Sequence, residues 1–442
     1  MTDDSHLDAA ALDELLRLND HRVQKDTLLH LLATCPDCGR VGVHLLEAAR
    51  AGRLPRDYSV LEAELERSRA GAPALWEQVA QLPYEKQRGR IQDTNRFLSW
   101  GLCELLCRES EKVASRDANR AVELAELAVL VAERLRPGEP AEEEWLLGLR
   151  ALALAHLGNA RRVLGELRGA EKAFSRSADL WEKCERETGD PLGYGPVILD
   201  LKASLRRGQR RFVEALELLD RVVTAYRDGD PERRDLHLPG RALIKKAYTY
   251  DQMGEPGRAL EMLQEAAPLV DPARDPRLFL CLRHNVLDTL SKMGRLEEAR
   301  ELLPEVEALS REIGNALDLA RLRWAEARIA AGLGGTARAE EMFQEVRRAL
   351  LGQGIGYDAA LVSLELAALY ARQGRTAEMK ELAGEMLPIF QAADVHREAL
   401  AALAVFQQAA ARDAATLELV QEVVEFLERA RHDPGLRFGK QP

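Results

Sequence analysis

Between residues 239 and 390 the apolar positions recur with a period of 40. Ala259, Ala299 and Ala339 stand five residues after Gly254, Gly294 and Gly334, and Met379 stands five after Gly374. Four residues further come Leu263, Leu303, Phe343 and Ala383; three beyond those come Ala266, Val306, Val346 and Met386. A glycine at a tight turn, then small and apolar residues at i, i+4 and i+7, describes one helical hairpin written four times. A single hairpin cannot cover its own apolar face, so neighbours must stack.

Less regular hairpins flank this set. The first is expected to pair 97–110 with 118–135, the second to run from Trp145 to Trp181, and the third to hold Ala203 and the run Ala215, Leu219, Val222. Pro137, Pro140, Asp190-Pro191 and Asp230-Pro231 separate them. An eighth, from His396 to about Arg431, lacks the turn glycine, as a terminal cap can, and a tail follows at 433–442. The stretch 53–95 is a helical connector, which Leu54-Pro55, Gly71-Ala72-Pro73 and Leu82-Pro83 should cut into short pieces. The step from turn glycine to alanine to apolar residue resembles the tetratricopeptide repeat (TPR). The period of 40 is longer than the usual length of about 34, and the Trp and Tyr of the family's first helix are mostly missing. The resemblance implies an all-α fold: a right-handed α-solenoid of about eight TPR-like hairpins over 96–432, with a concave surface. A small helical N-terminal module at 1–52 would precede it.

That module reads as three short amphipathic helices. Thr34 and Asp37 form a capping-box-like pair and Pro36 suits a first turn, which puts Cys35 and Cys38 at a helix N-terminus. The helix dipole there favours the thiolate, and His30 ends the preceding helix. His30, Cys35 and Cys38 are therefore candidates for one tetrahedral zinc, completed by His6, Asp13 or Glu14. The order resembles the H-x3-C-x2-C fingerprint of zinc-binding anti-sigma factors, although this chain has H-x4-C. The resemblance implies a sigma factor as partner and a role in transcriptional regulation. An ordinary helix start with a thiol pair, or a metal or redox sensor through Cys35 and Cys38, are the alternatives.

Aligning the repeats on their glycines places first-helix residues on the concave face: Arg241, Ile244, Tyr248 and Asp251; His284, Asp288 and Lys292; Arg321, Trp324 and Arg328; Leu364 and Arg372. Arg with Trp and Tyr is an interface-like mixture, while Trp324 could equally pack between repeats. Glu261, Glu301, Glu341 and Glu381 share one repeat position, and Glu265, Glu305, Glu345 and Glu385 the one a turn later. Like charges at i, i+4 need a reason, and a solvated outer face supplies one.

Composition narrows the function. The chain has 442 residues, 46% hydrophobic but only 5% aromatic, and a net charge of -11, which disfavours nucleic acid as a partner. The N-terminus has no basic and apolar leader pattern and no run is long enough to span a bilayer, so a cytoplasmic protein is expected. Six cysteines are too few for a disulfide scaffold, and Cys103 with Cys107 reads as a core pair. No nucleotide-binding, zincin or nucleophile-elbow motif is present. The expectation is a non-enzymatic scaffold that binds a protein or peptide; a helper subunit of a separately encoded enzyme is the alternative.

Overall fold

The computed structural model describes residues 59–430, apart from 115, 138–139, 189, 191, 229–236, 393–405 and 411–414. The expectations for 1–52, including His30, Cys35 and Cys38, and for the tail at 433–442 lie outside these residues. Every secondary-structure element among the described residues is helical. The helices form two compact units that divide after Ile198, within one helix.

The first unit opens with α1 (Ser59–Ala80) and α2 (Tyr84–Asp93). Two hairpins follow: α3 (Trp100–Val113) with α4 (Ala118–Arg134), and α5 (Pro140–Val163) with α6 (Leu167–Thr188). The expected break at Gly71-Ala72-Pro73 is absent: α1 runs straight through Pro73. An interior proline costs a helix about 3 kcal/mol, and tertiary packing offsets it here. Leu65, Ala72 and Val79, seven residues apart, form a buried stripe. A Cβ added at Gly101 of α3 would come within 2.3 Å of the Ser68 carbonyl oxygen, so α1 and α3 meet backbone to backbone. Arg69 clamps the same contact with bidentate bonds of 2.7 and 2.8 Å to Glu104. The break expected at Leu82-Pro83 does occur, between α1 and α2.

The dividing helix is α7 (Tyr194–Gly208), which is followed across a turn by α8 (Phe212–Asp228). In the second unit come α9 (His237–Gln252) with α10 (Pro256–Ala266), α11 (Pro276–Lys292) with α12 (Leu296–Ile313), and α13 (Ala316–Gly332) with α14 (Thr336–Gly352). The last are α15 (Gly356–Arg372) with α16 (Thr376–Ala392), and α17 (Leu417–Ala430). The repeat-locked positions make the core. Ala259, Ala299, Ala339 and Met379 are buried, as are Leu263, Phe343 and Ala383, and Ala266, Val306, Val346 and Met386; Leu303 alone of these is only partly covered.

Each of the four repeat glycines sits in the left-handed region, with φ between 68° and 87°. There the amide after the glycine donates to the carbonyl five residues back, as Glu255 does to Tyr250 at 2.9 Å and Arg295 to Leu290 at 3.0 Å. This is the Schellman closure of a helix, and a Cβ would strain it. The third hairpin closes the same way around Arg210, a non-glycine at φ 65°.

Candidate functional site

First helices of five successive hairpins, α7, α9, α11, α13 and α15, line a cavity of about 480 Å³ in the second unit. The period of 40 sets its wall as columns counted back from the turn glycine. Thirteen residues before it stand Cys281, Arg321 and Leu361; ten before it Ile244, His284 and Trp324; six before it Tyr248, Asp288 and Arg328. Steps of three and four keep these columns on one helix face.

Of the groove residues expected from sequence, Tyr248, His284, Asp288, Lys292, Arg321, Trp324 and Arg328 line the cavity. Arg241 and Arg372 are not in its wall. Arg241 lies 3.8 Å from Asp200, and Lys245, one turn further along α9, takes the wall position. Arg372 is exposed at the end of α15. Leu364 is fully buried in the core, and Leu361, one turn earlier, faces the cavity in its place. Trp324 combines the two roles open to it: it is 8% exposed, belongs to the core between α13 and α15, and still contributes to the wall.

The wall is cross-braced by charge. Lys292 on α11 reaches back to Asp251 on α9 at 3.0 Å and along its own helix to Asp288 at 2.9 Å. Asp288 accepts from Arg328 of α13 at 2.8 Å, and Arg328 donates at 2.6 Å to Glu365 of α15. Glu365 also accepts from the indole Nε1 of Trp324 at 3.0 Å, while the Arg328 guanidinium stacks 4.5 Å above that ring. Four hairpins are thus tied by one chain of groups, Asp251, Lys292, Asp288, Arg328 and Glu365. Lys245 is held by Asp200 at 2.6 Å.

Electrostatics follow from this enclosure. Burial alone would raise the Asp288 carboxyl, but Lys292 and Arg328 outweigh it and hold the group well below the ordinary carboxylate range. Lys292 is held above its ordinary value: burial lowers it, and Asp288 and Asp251 raise it by more. Burial pushes His284 down against the pull of Asp288, so its imidazole is favoured neutral. Its Nε2 is buried without a hydrogen-bond partner among the described residues.

Sequence reasoning missed Arg207, Lys245, Asn285 and Asp358. Lys245 and Asn285 stand nine residues before Gly254 and Gly294, so they share a column that was passed over. Arg207 stands three before Arg210, as Asp251 does before Gly254, but no glycine marks that turn and the register slips from 40 to 44. Among the described residues no cluster of three or more His, Cys, Asp or Glu side chains is arranged to hold a metal. No described helix is long and apolar enough to cross a membrane.

No protein-family model matches the chain, and no curated protein matches it. Solved structures do. A crystal structure of a Rap protein complexed with Competence and Sporulation Factor is similar with a TM-score of 0.53 at 14% identity, over 75% of this chain and 88% of that one. Aspartyl phosphate phosphatase F from Bacillus subtilis is similar at 0.46 and 12% identity, over 88% of this chain and 95% of that one. A Podosopora anserina kinesin light chain with nearly identical TPR-like repeats gives 0.34 and 20%, over 48% of this chain and 97% of that one. Of these three only the Rap structure passes 0.5, and at such identity it bears on fold alone. Together with the repeated hairpins, it makes the chain an all-α, TPR-like solenoid protein.

Proposed function

We propose that the chain is a non-enzymatic scaffold that binds an extended peptide, free or as a segment of a partner protein, in the cavity of the second unit. The observation that carries this is the wall itself. Five first helices present polar side chains to one cavity of about 480 Å³, and on three of them Asp251, Lys292, Asp288 and Arg328 are fixed in place by one another and by Glu365 of a fourth. A pre-ordered wall binds with little loss of side-chain freedom, the condition for useful affinity from a modest contact area. A volume of this size lies in the range of small-ligand and peptide-segment sites. The Rap structure of like fold was obtained as a complex with Competence and Sporulation Factor, which supports ligand binding by such a stack.

The test is to fill the cavity. Asn285 lines it and is half-buried, so Asn285→Trp adds bulk without entering the core. With the full chain immobilised, peptides should be retained from a random hexapeptide pool by the wild type and lost by Asn285→Trp, with helical circular dichroism unchanged. Retention by the filled variant would place the ligand elsewhere.

The N-terminal expectation stands as a separate proposal: His30, Cys35 and Cys38 hold one zinc, and that module engages a sigma factor inside the cell. Elemental analysis of chelator-free protein decides the first part; a zinc content near zero, unchanged in Cys35→Ala with Cys38→Ala, contradicts it.

A further inference from the structure

The wall cations differ in what they hold. Lys292 and Arg328 are enclosed by Asp251, Asp288 and Glu365; Lys245 is bound to Asp200; Arg321 stands 3.9 Å from Asp358. Arg207, at the α7 end of the cavity, is the exception. Among the described residues no hydrogen bond or ion pair engages its guanidinium, and its neighbour there is the Tyr248 ring, with the guanidinium carbon 4.8 Å from the ring centre. Asp200, the carboxylate whose charge acts on Arg207, has one oxygen held by Lys245 at 2.6 Å.

A half-buried guanidinium without an acid is costly unless something else meets it. Stacking on Tyr248 occupies one face of the plane and leaves the N–H edge, the part that recognises a planar anion through paired hydrogen bonds. Arg207 is in the cavity wall, so that edge is available to whatever the cavity takes.

We propose that Arg207 is the anion post of the cavity: it takes a carboxylate of the bound peptide and so fixes which way round the peptide lies, with its anionic end at α7. The carboxylate is either the peptide's free C-terminus or an Asp or Glu side chain. This rests on the reading of the cavity as a peptide site. It makes α7, whose turn lacks glycine, the element that gives the groove direction.

Three pools of random hexapeptides separate the possibilities on the immobilised full chain. The first has free C-termini and no acidic residue, the second amidated C-termini and no acidic residue, the third amidated C-termini with one Asp or Glu. The wild type should retain the first or the third about ten- to hundred-fold better than the second, the worth of a charge-assisted hydrogen-bonded pair. Preference for the first assigns the terminal carboxylate, preference for the third a side chain. Arg207→Gln should reduce retention to the level of the second pool, and Arg207→Lys, which keeps charge but not the fork, should fall between. Equal retention of all three pools by the wild type overturns the anion post and leaves the peptide cavity standing, without needing any variant to fold. Retention of no pool overturns both.

Discussion

Two charged surfaces of the second unit are written by the same period of 40 and behave differently. On the cavity wall, with Glu365 bonded to two of its residues, acids and bases alternate along one chain of groups and are enclosed. Arg328 and Glu365 have side chains only 16% and 18% exposed, and Arg328 meets two carboxylates and an aromatic face at once. On the second helices the glutamates of the outer ladder are exposed, apart from the half-buried Glu345, and each of the later set has a single arginine. Arg283 serves Glu305 and Arg323 serves Glu345, each 22 residues earlier, from the first helix of the same hairpin. Arg227 serves Glu265 and Arg347 serves Glu385, each 38 residues earlier, from the second helix of the hairpin before. Those arginines answer the like-charge repulsion along each helix. The same kind of pair is therefore a brace on one face and a compensating surface charge on the other, and enclosure decides which.

The largest effect should come from Arg328→Ala. It leaves Asp288 and Glu365 poorly compensated, with Trp324 unstacked, and should destabilise the second unit by about 2–4 kcal/mol in urea denaturation. A loss no larger than that of an outer-ladder arginine would erase the contrast between the two faces.

Next in size is the pH dependence of Asp288. Its folded-state value is depressed, so its stabilising contribution is present above the unfolded value of about 3.9 and is lost only as pH falls through the folded one. Wild type should exceed Asp288→Asn in stability by a constant margin from neutral pH down to about 4, the gap closing only in stronger acid. A gap that closes between neutral pH and that point would mean the carboxylate is not held by Lys292 and Arg328.

The smallest effect should be Arg283→Ala on the outer ladder. Exposed pairs are worth at most about 1 kcal/mol and fade in salt. The difference from wild type should vanish in molar sodium chloride; a larger, salt-insensitive loss would make the ladder part of the core.

The hairpins were legible in the sequence because packing requires the same small residue at the same place each time. Ala259, Ala299 and Ala339 are all but fully buried where two helices meet, and the four turn glycines occupy a backbone conformation that other residues enter only with strain. Legibility failed where tertiary contact overrode a local rule. Pro73 reads as a break, yet the contact of α1 with Gly101 and Glu104 keeps the helix whole. Arg210 does a glycine's work, which hid the register of α7 and with it Arg207. The cavity columns could be counted from the glycines, but helix rotation decided their edges: Leu364 turned inward and Leu361 outward, and Lys245 rather than Arg241 reached the wall. Which wall charges are matched could not be read from spacing, because partners such as Trp324 and Glu365 stand on different helices, 41 residues apart.

The central claim, that the ligand lies in the cavity of the second unit, can be tested at one thiol. Cys281 is exposed and lines the cavity, while Cys103, Cys107 and Cys184 are buried. The measurement is the alkylation rate of Cys281, read by peptide-mapping mass spectrometry, with and without a saturating hexapeptide selected on the wild-type chain. The account predicts that the peptide slows alkylation of Cys281 about tenfold or more, as an equilibrium nine-tenths or more in the blocked state would. An unchanged rate with the peptide demonstrably bound would contradict it and move the binding site off the concave wall.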